Sequence, residues 1–254
     1  MFEKRSLGIA FEVDGTVRAV ELTSHLRTLT LTGAWTFQPG GVDKFDSWKQ
    51  GMEKLRESGV SLDNFVIGVP DSIIYRKHLS FPFSSRKRIM QIINSELEGE
   101  IPLAIDDVVA DFISGQAAGP GLQGTAMACD KGTLSRFLDL AGPGTRLRSV
   151  QTGAVGLATA SLRSGIINGV SVHCGPGEGV LVEFRSSKVM AVKRLPLRED
   201  AESNAHFISR EIRQHTLRGD DVYLECAGIN DQVEAALGGE ETLKIRSLSD
   251  LDIA

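Results

Sequence analysis

The stretch Val170–Leu197 begins with two apolar runs, VSVHC (170–174) and VLVEF (180–184), which flank the loop GPGEG (175–179). A third run, Lys188–Leu195, follows a short polar turn. Apolar runs broken by Gly, Pro and Ser clusters are typical of antiparallel strands joined by tight turns. The stretch therefore predicts a three-stranded meander with a glycine-rich first turn.

The same pattern occurs at the N-terminus. Leu7–Val13 leads to Asp14-Gly15, a strong signal for a hairpin turn. Thr16–Leu22 returns, and Leu26–Leu31 alternates as a third strand. Each copy is followed by a helical pattern and another apolar strand: Ser47–Ser58 and Asn64–Val69 after the first, Ala201–Leu217 and Asp221–Cys226 after the second. This internal duplication predicts two similar α/β halves that face each other.

The glycine-rich turn of the second copy also suggests a ligand. Glycine lets backbone N–H groups approach a bound molecule closely, so such a hairpin can hold a phosphate. A lone glycine-rich loop is more often only a turn. Its recurrence in a duplicated pattern favours a pair of phosphate-binding hairpins.

The composition is that of an ordinary globular protein. The 254 residues are 41% hydrophobic and 24% charged, which suffices for one large domain or two smaller ones. The net charge of −5 at pH 7 weighs against a nucleic-acid surface, which needs clustered Lys and Arg. The basic run Arg86-Lys87-Arg88 is interpreted as the exposed first turn of a helix. Nucleic acid is therefore not an expected partner.

The cysteines and histidines predict neither disulfides nor a metal site. Cys129, Cys174 and Cys226 are widely spaced in apolar runs, as expected for buried free thiols in a reducing compartment. The five histidines lack metal-ligand spacing. No signal peptide begins the chain and no run of 18 or more apolar residues occurs, so no bilayer-spanning segment is predicted.

The most specific stretch is Leu79–Phe112. A short apolar-Pro entry leads to a Ser84/Ser85 cap, and an amphipathic helix follows over Arg86–Gly99. Glu100-Ile101-Pro102-Leu103 ends the helix before a further strand. Beyond this stretch, Gln116–Gly124 is rich in Gly, Ala and Pro and predicts an exposed loop.

This order of elements resembles the cytoplasmic actin-like components of type IV pilus and type II secretion machines, the PilM and GspL proteins. Leu79–Phe112 is similar to the subdomain that the family inserts in its first half. The Gly8-Ile9 strand and the run Ala19-Val20-Glu21-Leu22 resemble its opening hairpin. The resemblance implies a duplicated actin-like (RNase H-like) ATPase fold with two facing halves.

The halves that the resemblance implies are residues 1–151, with an inserted subdomain at about 76–150, and residues 152–254. The small-residue helix predicted over Thr152–Ser164 would join them. From Leu197 the chain passes almost directly to the helix at Ala201, which leaves no room for the insertion that actin-like ATPases carry there. A reduced second half favours the secretion L proteins over the pilus M proteins.

The function that the resemblance implies is that of a non-catalytic scaffold at the cytoplasmic side of the bacterial inner membrane. In the L proteins this domain recruits the cytoplasmic secretion ATPase, and a transmembrane helix follows it; none is found in these 254 residues. The expected partners are the secretion ATPase, other inner-membrane platform proteins and a second copy of the chain. The alternative is a pilus M protein, which binds the short cytoplasmic N-terminus of a membrane partner.

ATP hydrolysis on this fold requires carboxylates beside both phosphate hairpins to hold Mg²⁺. Where the family has these two aspartates, the chain has Ala10 and His173, and histidine is a poor Mg²⁺ ligand. The family's adenosine-side Gly-Gly becomes Ala227-Gly228. No enzyme activity, catalytic residue, metal or cofactor is therefore expected, although weak ATP binding is left open. Its candidate residues are Asp14, Gly15, Thr16, Gly175, Gly177, Gly179 and Gly228.

A protein of another class, a genuine actin-like ATPase or sugar kinase, would need Glu12 or Asp14 to replace the missing carboxylate. An alternating strand places Ala10, Glu12 and Asp14 on one face only if no bulge intervenes. A thiol nucleophile activated by the neighbouring histidine is not expected either. His173 and Cys174 are adjacent in a strand, so they point to opposite faces.

Overall fold

The structure is a computed structural model of the chain. It describes residues 4–25, 28–38, 40–118, 121–142, 145–226, 228–237 and 244–247. Two compact units are present. The first comprises the chain up to Asp71 together with Gly132–Gly153, and the second comprises Ser72–Lys131 together with the chain from Ala154 onward.

Thirteen strands and six helices are found in the described residues. The strands are β1 (Lys4–Phe11), β2 (Val17–His25), β3 (Thr28–Phe37), β4 (Phe65–Val69), β5 (Tyr75–Phe81), β6 (Val108–Ala118), β7 (Gly121–Asp130), β8 (Leu147–Thr152), β9 (Gly169–Gly175), β10 (Glu178–Arg185), β11 (Lys188–Pro196), β12 (Asp221–Cys226) and β13 (Lys244–Ser247). The helices are α1 (Lys44–Glu57), α2 (Arg86–Leu97), α3 (Lys131–Ala141), α4 (Gly153–Arg163), α5 (Ala201–His215) and α6 (Asn230–Leu237). None of these helices has both the length and the apolar character that crossing a membrane requires.

The first unit is built on a five-stranded sheet in the order β3-β2-β1-β4-β8. β1, β2 and β3 form the antiparallel meander, and β1, β4 and β8 run parallel. Helix α1 begins after Asp43, whose side chain accepts a hydrogen bond from Asp46 N at 2.9 Å. Trp48, Met52 and Leu55 share the buried face of α1, because residues at i, i+4 and i+7 lie on one side of a helix.

Four aromatic rings form the core beside the first hairpin. The ring centroid of Phe137 on α3 lies 5.5 Å from that of Phe11, 5.2 Å from Phe45 and 5.0 Å from Trp48. The Arg136 guanidinium lies 3.4 Å from the centre of the Phe45 ring. This cluster fixes α1 and α3 against the end of β1, where the candidate loop begins.

The second unit contains a sheet that repeats the first, in the order β11-β10-β9-β12-β13. β9, β10 and β11 form the antiparallel meander, and β12 is parallel to β9. α5 and α6 cover one face through apolar residues that include Ile208, Ile212 and Val233. α4 lies on the other face, where Ser161 Oγ and Ser171 Oγ are 2.8 Å apart.

The second unit also contains the inserted segment, a sheet in the order β5-β7-β6 with α2 packed on it. Ser85 caps α2 as predicted, since Arg88 N donates to its Oγ at 3.5 Å. The loop predicted over Gln116–Gly124 is wrong for its described residues. β6 continues to Ala118 and β7 starts at Gly121, while residues 119–120 lie outside the described ranges.

The duplicated actin-like fold predicted from the sequence is confirmed. In both halves a three-stranded meander is followed by a helix and then by a strand parallel to the first strand. Only residues 197–200 separate β11 from α5, so the second half lacks an inserted subdomain. The insertion predicted at about 76–150 needs correction at its end. β8 pairs with β4, which leaves only Tyr75–Asp130 in the inserted sheet and its helix. The boundary between halves at residue 151 stays a prediction.

The second half contains an ion pair between a buried glutamate and a partly exposed lysine, and its effect on stability can be tested. The carboxylate of Glu211 on α5 is buried and accepts a hydrogen bond from Lys193 Nζ on β11. Burial acts to raise the pKa of Glu211, but Lys193 and Arg210 outweigh it and leave this pKa lowered. A lowered pKa contributes stability that is present above the unfolded-state pKa and is lost as the pH falls through the folded-state pKa.

We expect Glu211→Gln to lower the free energy of unfolding by about 1–3 kcal/mol at pH 7, because the charged hydrogen bond is lost. The gap should be smaller at about pH 3, below the ordinary glutamate pKa of about 4.3, because the stabilisation from a lowered pKa is lost as the pH falls toward that pKa. Urea denaturation at both pH values measures it. Glu202→Gln, on the exposed face of the same helix, is the matched control. An equal loss at both pH values would rule out the ion pair as the cause.

Candidate functional site

The first candidate element is the loop Glu12–Thr16, which joins β1 to β2. Glu12 N donates to Thr16 O at 2.9 Å, and Gly15 N donates to Glu12 O at 3.0 Å. Asp14 Oδ1 accepts from Thr16 N at 2.9 Å. Gly15 has a φ of 95°, a left-handed conformation that glycine adopts without strain. Asp14, Gly15 and Thr16 are therefore held together in one rigid loop, longer than a two-residue turn.

An arginine of β2 lies beside this loop. Ala10 pairs in register with Arg18 across the hairpin. Arg18 Nε lies 2.5 Å from Glu12 Oε1, so its guanidinium forms a partly exposed ion pair with the acidic side chain two residues after Ala10. Asp14 is exposed and already accepts the Thr16 hydrogen bond. Glu12 Oε1 and Asp14 Oδ1 thus have partners inside the hairpin, whereas Glu12 Oε2 is buried without a hydrogen-bond partner among the described residues.

Asp71 is a buried acidic residue that is not among the site residues predicted from the sequence. It follows β4 and is only 3% exposed. The first residue of α4 lies beside it, since a Cβ on Gly153 would be 2.8 Å from Asp71 Oδ2. β1, β4 and β8 are parallel, so Glu12–Thr16, Asp71 and Thr152 share the carboxyl edge of the sheet. Ligands of α/β folds bind at such edges. The sequence signal that indicates this position is the Pro70-Asp71 pair directly after a buried strand.

The second candidate element is the hairpin between β9 and β10, whose turn consists of Pro176 and Gly177 alone. Gly177 has a φ of 78°, and proline followed by a positive φ is the pattern of a type II turn. Gly179 is required by packing, since a Cβ there would lie 2.7 Å from Cys174 Sγ. A Cβ on Gly175 would meet nothing within 4 Å. Gly175 is therefore the one glycine here that neither the turn nor the packing explains.

Gly228 lies at the same edge of the second sheet as this hairpin. β12 is parallel to β9, and its last residue, Cys226, pairs in register with Cys174. Gly228 is exposed with a φ of 77°, and Asn230 Oδ1 accepts from Cys226 N at 2.6 Å to fix the turn into α6. Ala227, the other residue of the predicted pair, lies outside the described residues. The structure thus brings the four second-half glycines to one sheet edge.

The thiol and imidazole groups at this edge do not form a nucleophilic pair. His173 is exposed and Cys174 is buried, on opposite faces of β9 as expected. A hydrogen bond with Cys174 and burial both raise the pKa of Cys226, and burial raises the pKa of Cys129 to about 11. All three cysteines are buried, as predicted. The Cys129 and Cys226 thiols therefore stay protonated and unreactive near neutral pH.

Two guanidinium groups border the second hairpin. Arg194 Nε lies 3.3 Å from Glu178 Oε2, at the start of β10. Burial lowers the pKa of Arg76 on β5 to about 10, while the nearby Glu178 raises it and Arg194 lowers it. Arg76 is therefore still charged at pH 7. One carboxylate here faces two cations, which does not favour a divalent metal. In the described part of the chain, no three His, Cys, Asp or Glu side chains are grouped to hold one.

A duplicated meander–helix–strand unit, with a hairpin at the carboxyl edge of each sheet, places the chain in the actin-like class of ATPase folds. Among solved structures it is similar to a chain of the PilM-PilN type IV pilus biogenesis complex, with a TM-score of 0.74 and 15% identity over 97% of this chain and 89% of the other. The resemblance stated from the sequence is thereby confirmed at the level of the fold.

Two further structures support this assignment of the fold. The cytoplasmic domain of EpsL, an inner membrane component of the type II secretion system of Vibrio cholerae, matches with a TM-score of 0.54 and 11% identity over 94% of this chain and 97% of that domain. A Bacteroides thetaiotaomicron protein with an actin-like ATPase fold and unknown function matches with a TM-score of 0.62 and 9% identity. The match covers 98% of this chain and 92% of that protein. No protein-family model and no curated protein sequence matches the chain.

Proposed function

We propose that the chain is a non-catalytic actin-like scaffold of a bacterial type II secretion or type IV pilus platform, at the cytoplasmic side of the inner membrane. It recruits the secretion ATPase and contacts other platform proteins. The observation that carries the non-catalytic part of the proposal is the first hairpin. There Arg18 lies opposite Ala10 in the strand register and forms an ion pair with Glu12. The similarity of the fold to PilM and to the cytoplasmic domain of EpsL supports the system to which we assign it.

The chemistry of phosphoryl transfer explains why this hairpin matters. Catalysis there depends on positioning and on Mg²⁺, which neutralises charge on the phosphates. Mg²⁺ prefers carboxylate and water oxygens in octahedral geometry. A guanidinium beside the Glu12 carboxylate competes with the metal, and His173 offers no oxygen ligand. Among the described residues, Asp71 is the one buried acid at the first edge, and one carboxylate does not replace two.

We expect about 5 mM Mg-ATP to leave the melting temperature unchanged within about 1 °C and to yield no phosphate release above the blank. A ligand at 100 times its Kd would stabilise by about 2.7 kcal/mol, which is several degrees for a chain of this size. Mg²⁺ alone and ATP without Mg²⁺ are the controls. Phosphate release that disappears in Asp71→Asn, in a variant that still folds, would overturn the non-catalytic proposal. A thermal shift without release would leave a nucleotide-binding scaffold.

A pilus M-type role is the second candidate, and one observation favours it. The TM-score is 0.74 against the chain of the PilM-PilN complex and 0.54 against the EpsL domain. Under this alternative the chain binds the short cytoplasmic N-terminus of a membrane partner. Titration of the chain with that peptide and with the N-terminal domain of the secretion ATPase separates the two roles. Binding of only the peptide would favour the pilus role, and binding of only the ATPase domain would favour the secretion role.

The exposed face of α2 is the surface on which we test recruitment of the ATPase. Arg86 is a poor target, because it donates to Phe112 O and lies 2.5 Å from Asp111 Oδ1, within the insert. Lys87 is exposed at the start of the same helix. We expect Lys87→Glu to slow association and weaken ATPase pull-down with no change in melting temperature. Lys49→Glu, an equally exposed reversal on α1, is the control. Equal pull-down by both variants would remove α2 as the interface.

A further inference from the structure

Strand β3 gives the first sheet a long open edge. Its ten residues, TLTLTGAWTF, form the end strand of the sheet. They contain no charged residue and no proline, and none of them is buried. Folded proteins usually protect an edge strand with charges, proline, bulges or a covering element, because its unpaired N–H and C=O groups can accept another strand. A small bulge opposite Glu21 and Leu22 is the single such device on β3.

The corresponding edge of the second half is protected. β11 carries Lys188, Lys193 and Arg194 and ends at Pro196. In addition, β6 of the insert passes against it, so closely that a Cβ on Gly115 would lie 2.9 Å from Val189 O. The duplicated strand thus has charges, proline and a cover. Because the equivalent strand in the same chain is protected, the uncovered edge of β3 is not a general property of this fold.

An apolar stripe lies next to the open edge. Leu31 on β3 is paired with Leu22 on β2, so both side chains are on one face of the sheet. Leu29, two residues before Leu31, and Val20, two residues before Leu22, extend the stripe on the same face. The four side chains are 37% to 61% exposed. The edge therefore offers both unpaired backbone groups and a hydrophobic surface.

We propose that β3 pairs antiparallel with β3 of a second copy of the chain, in a register centred on Thr30. A closed two-fold dimer uses the same surface on both copies, which for two edge strands requires antiparallel pairing. In a register centred on Thr30, Leu29 of each copy lies opposite Leu31 of the other copy. The apolar stripes of the two copies then form one continuous surface on the same face of the sheet. Two five-stranded sheets then become one sheet of ten strands.

The charge of the strand favours a second copy as the occupant. The chain carries a net charge of −5, yet the edge itself is uncharged. Two copies can therefore meet there without opposing like charges, whereas a charged peptide would find no counter-charge on β3. This inference goes beyond the scaffold function and does not rest on it.

Sedimentation equilibrium at about 100 μM tests the association, with an expected mass of twice the 27.4 kDa chain. Leu31→Lys should raise the dissociation constant by roughly a hundredfold, because it buries an unpaired ammonium group at the interface. Leu138→Lys, at a leucine of α3 that is 41% exposed, should leave the dimer intact. A wild-type monomer overturns the proposal, as does an intact dimer in folded Leu31→Lys.

Disulfide trapping tests the register. Residues directly opposite in an antiparallel pair have Cα atoms about 4.5–5.5 Å apart, within disulfide range. We expect Thr30→Cys to form a covalent dimer with oxidised glutathione, and the three native cysteines are buried and do not compete. Thr36→Cys, exposed on the same strand, has no β3 residue opposite it in this register and should stay monomeric on a non-reducing gel. Equal cross-linking of both variants would overturn the register.

Discussion

Replacement of Phe137 by alanine is expected to lower the free energy of unfolding by about 3–5 kcal/mol, the range for a fully buried phenylalanine. The side chain is 0% exposed and packs against Phe11, Phe45 and Trp48. Removal of the ring leaves a cavity among three large neighbours that cannot all close on it. Urea denaturation followed by tryptophan fluorescence measures the change, since Trp48 is itself in the cluster.

The next residue provides the control. Leu138 is 41% exposed on the outer side of α3. Leu138→Ala should cost about 0.5 kcal/mol or less, as surface substitutions usually do. Similar losses for both variants would mean that the buried ring of Phe137 contributes no more than an exposed leucine, which would contradict the role of the cluster. The result also bears on the first hairpin, because Trp48 Nε1 donates to Glu12 O at 3.0 Å at the start of its loop.

Replacement of Asp71 by alanine is expected to lower the free energy of unfolding by about 1–3 kcal/mol. Asp71 is buried beside Gly153 at the first turn of α4, where a carboxylate is stabilised by the helix dipole. Asp71→Asn keeps an oxygen but loses the charge, so a smaller loss is expected. Urea denaturation of the three proteins at pH 7 gives the order wild type, Asp71→Asn, Asp71→Ala. An alanine variant as stable as wild type would contradict this role.

A double-mutant cycle with Gly153 sharpens the Asp71 prediction. Gly153→Ala places a methyl group 2.8 Å from Asp71 Oδ2, so the carboxylate has to shift. Once Asp71 is alanine, that clash is gone, and Gly153→Ala gains the higher helix propensity of alanine. We therefore expect Gly153→Ala to destabilise the wild type and to be neutral or stabilising in Asp71→Ala. Additive effects would show that the two residues do not interact.

The elements with local signals could be predicted from the sequence. The helix of the insert was predicted with its Ser85 cap because a capping serine, an apolar stripe and a stop sequence lie within one stretch. The duplication was visible because both copies repeat strand, turn, strand, helix and strand in the same order. The three glycines at 175–179 were recognised for the same reason, since turn chemistry is encoded in the turn itself.

The features that depend on distant pairing could not be predicted. Gln116–Gly124 has the composition of a loop, but β6 and β7 pair through its described part, and tertiary pairing overrides local preference. The third strand predicted at Leu26–Leu31 runs from Thr28 to Phe37, because β2 supplies partners that far, and residues 26–27 lie outside the described ranges. Asp71 and the Glu12–Arg18 ion pair became visible only when the strands that carry them were aligned side by side.

The close contact between β6 and β11 limits how the chain can be cut into pieces. A fragment of residues 152–254 corresponds to one of the two predicted halves and contains all of the β9–β13 sheet. Without β6, however, the outer edge of β11 would lose its cover and face solvent. Such a fragment keeps the charges and the proline of β11 but loses the cover, so we expect it to associate more readily than the whole chain although its own sheet is complete. The inserted segment therefore covers the edge strand of the second-half sheet. Deletion studies need to keep Tyr75–Asp130 and the second half together.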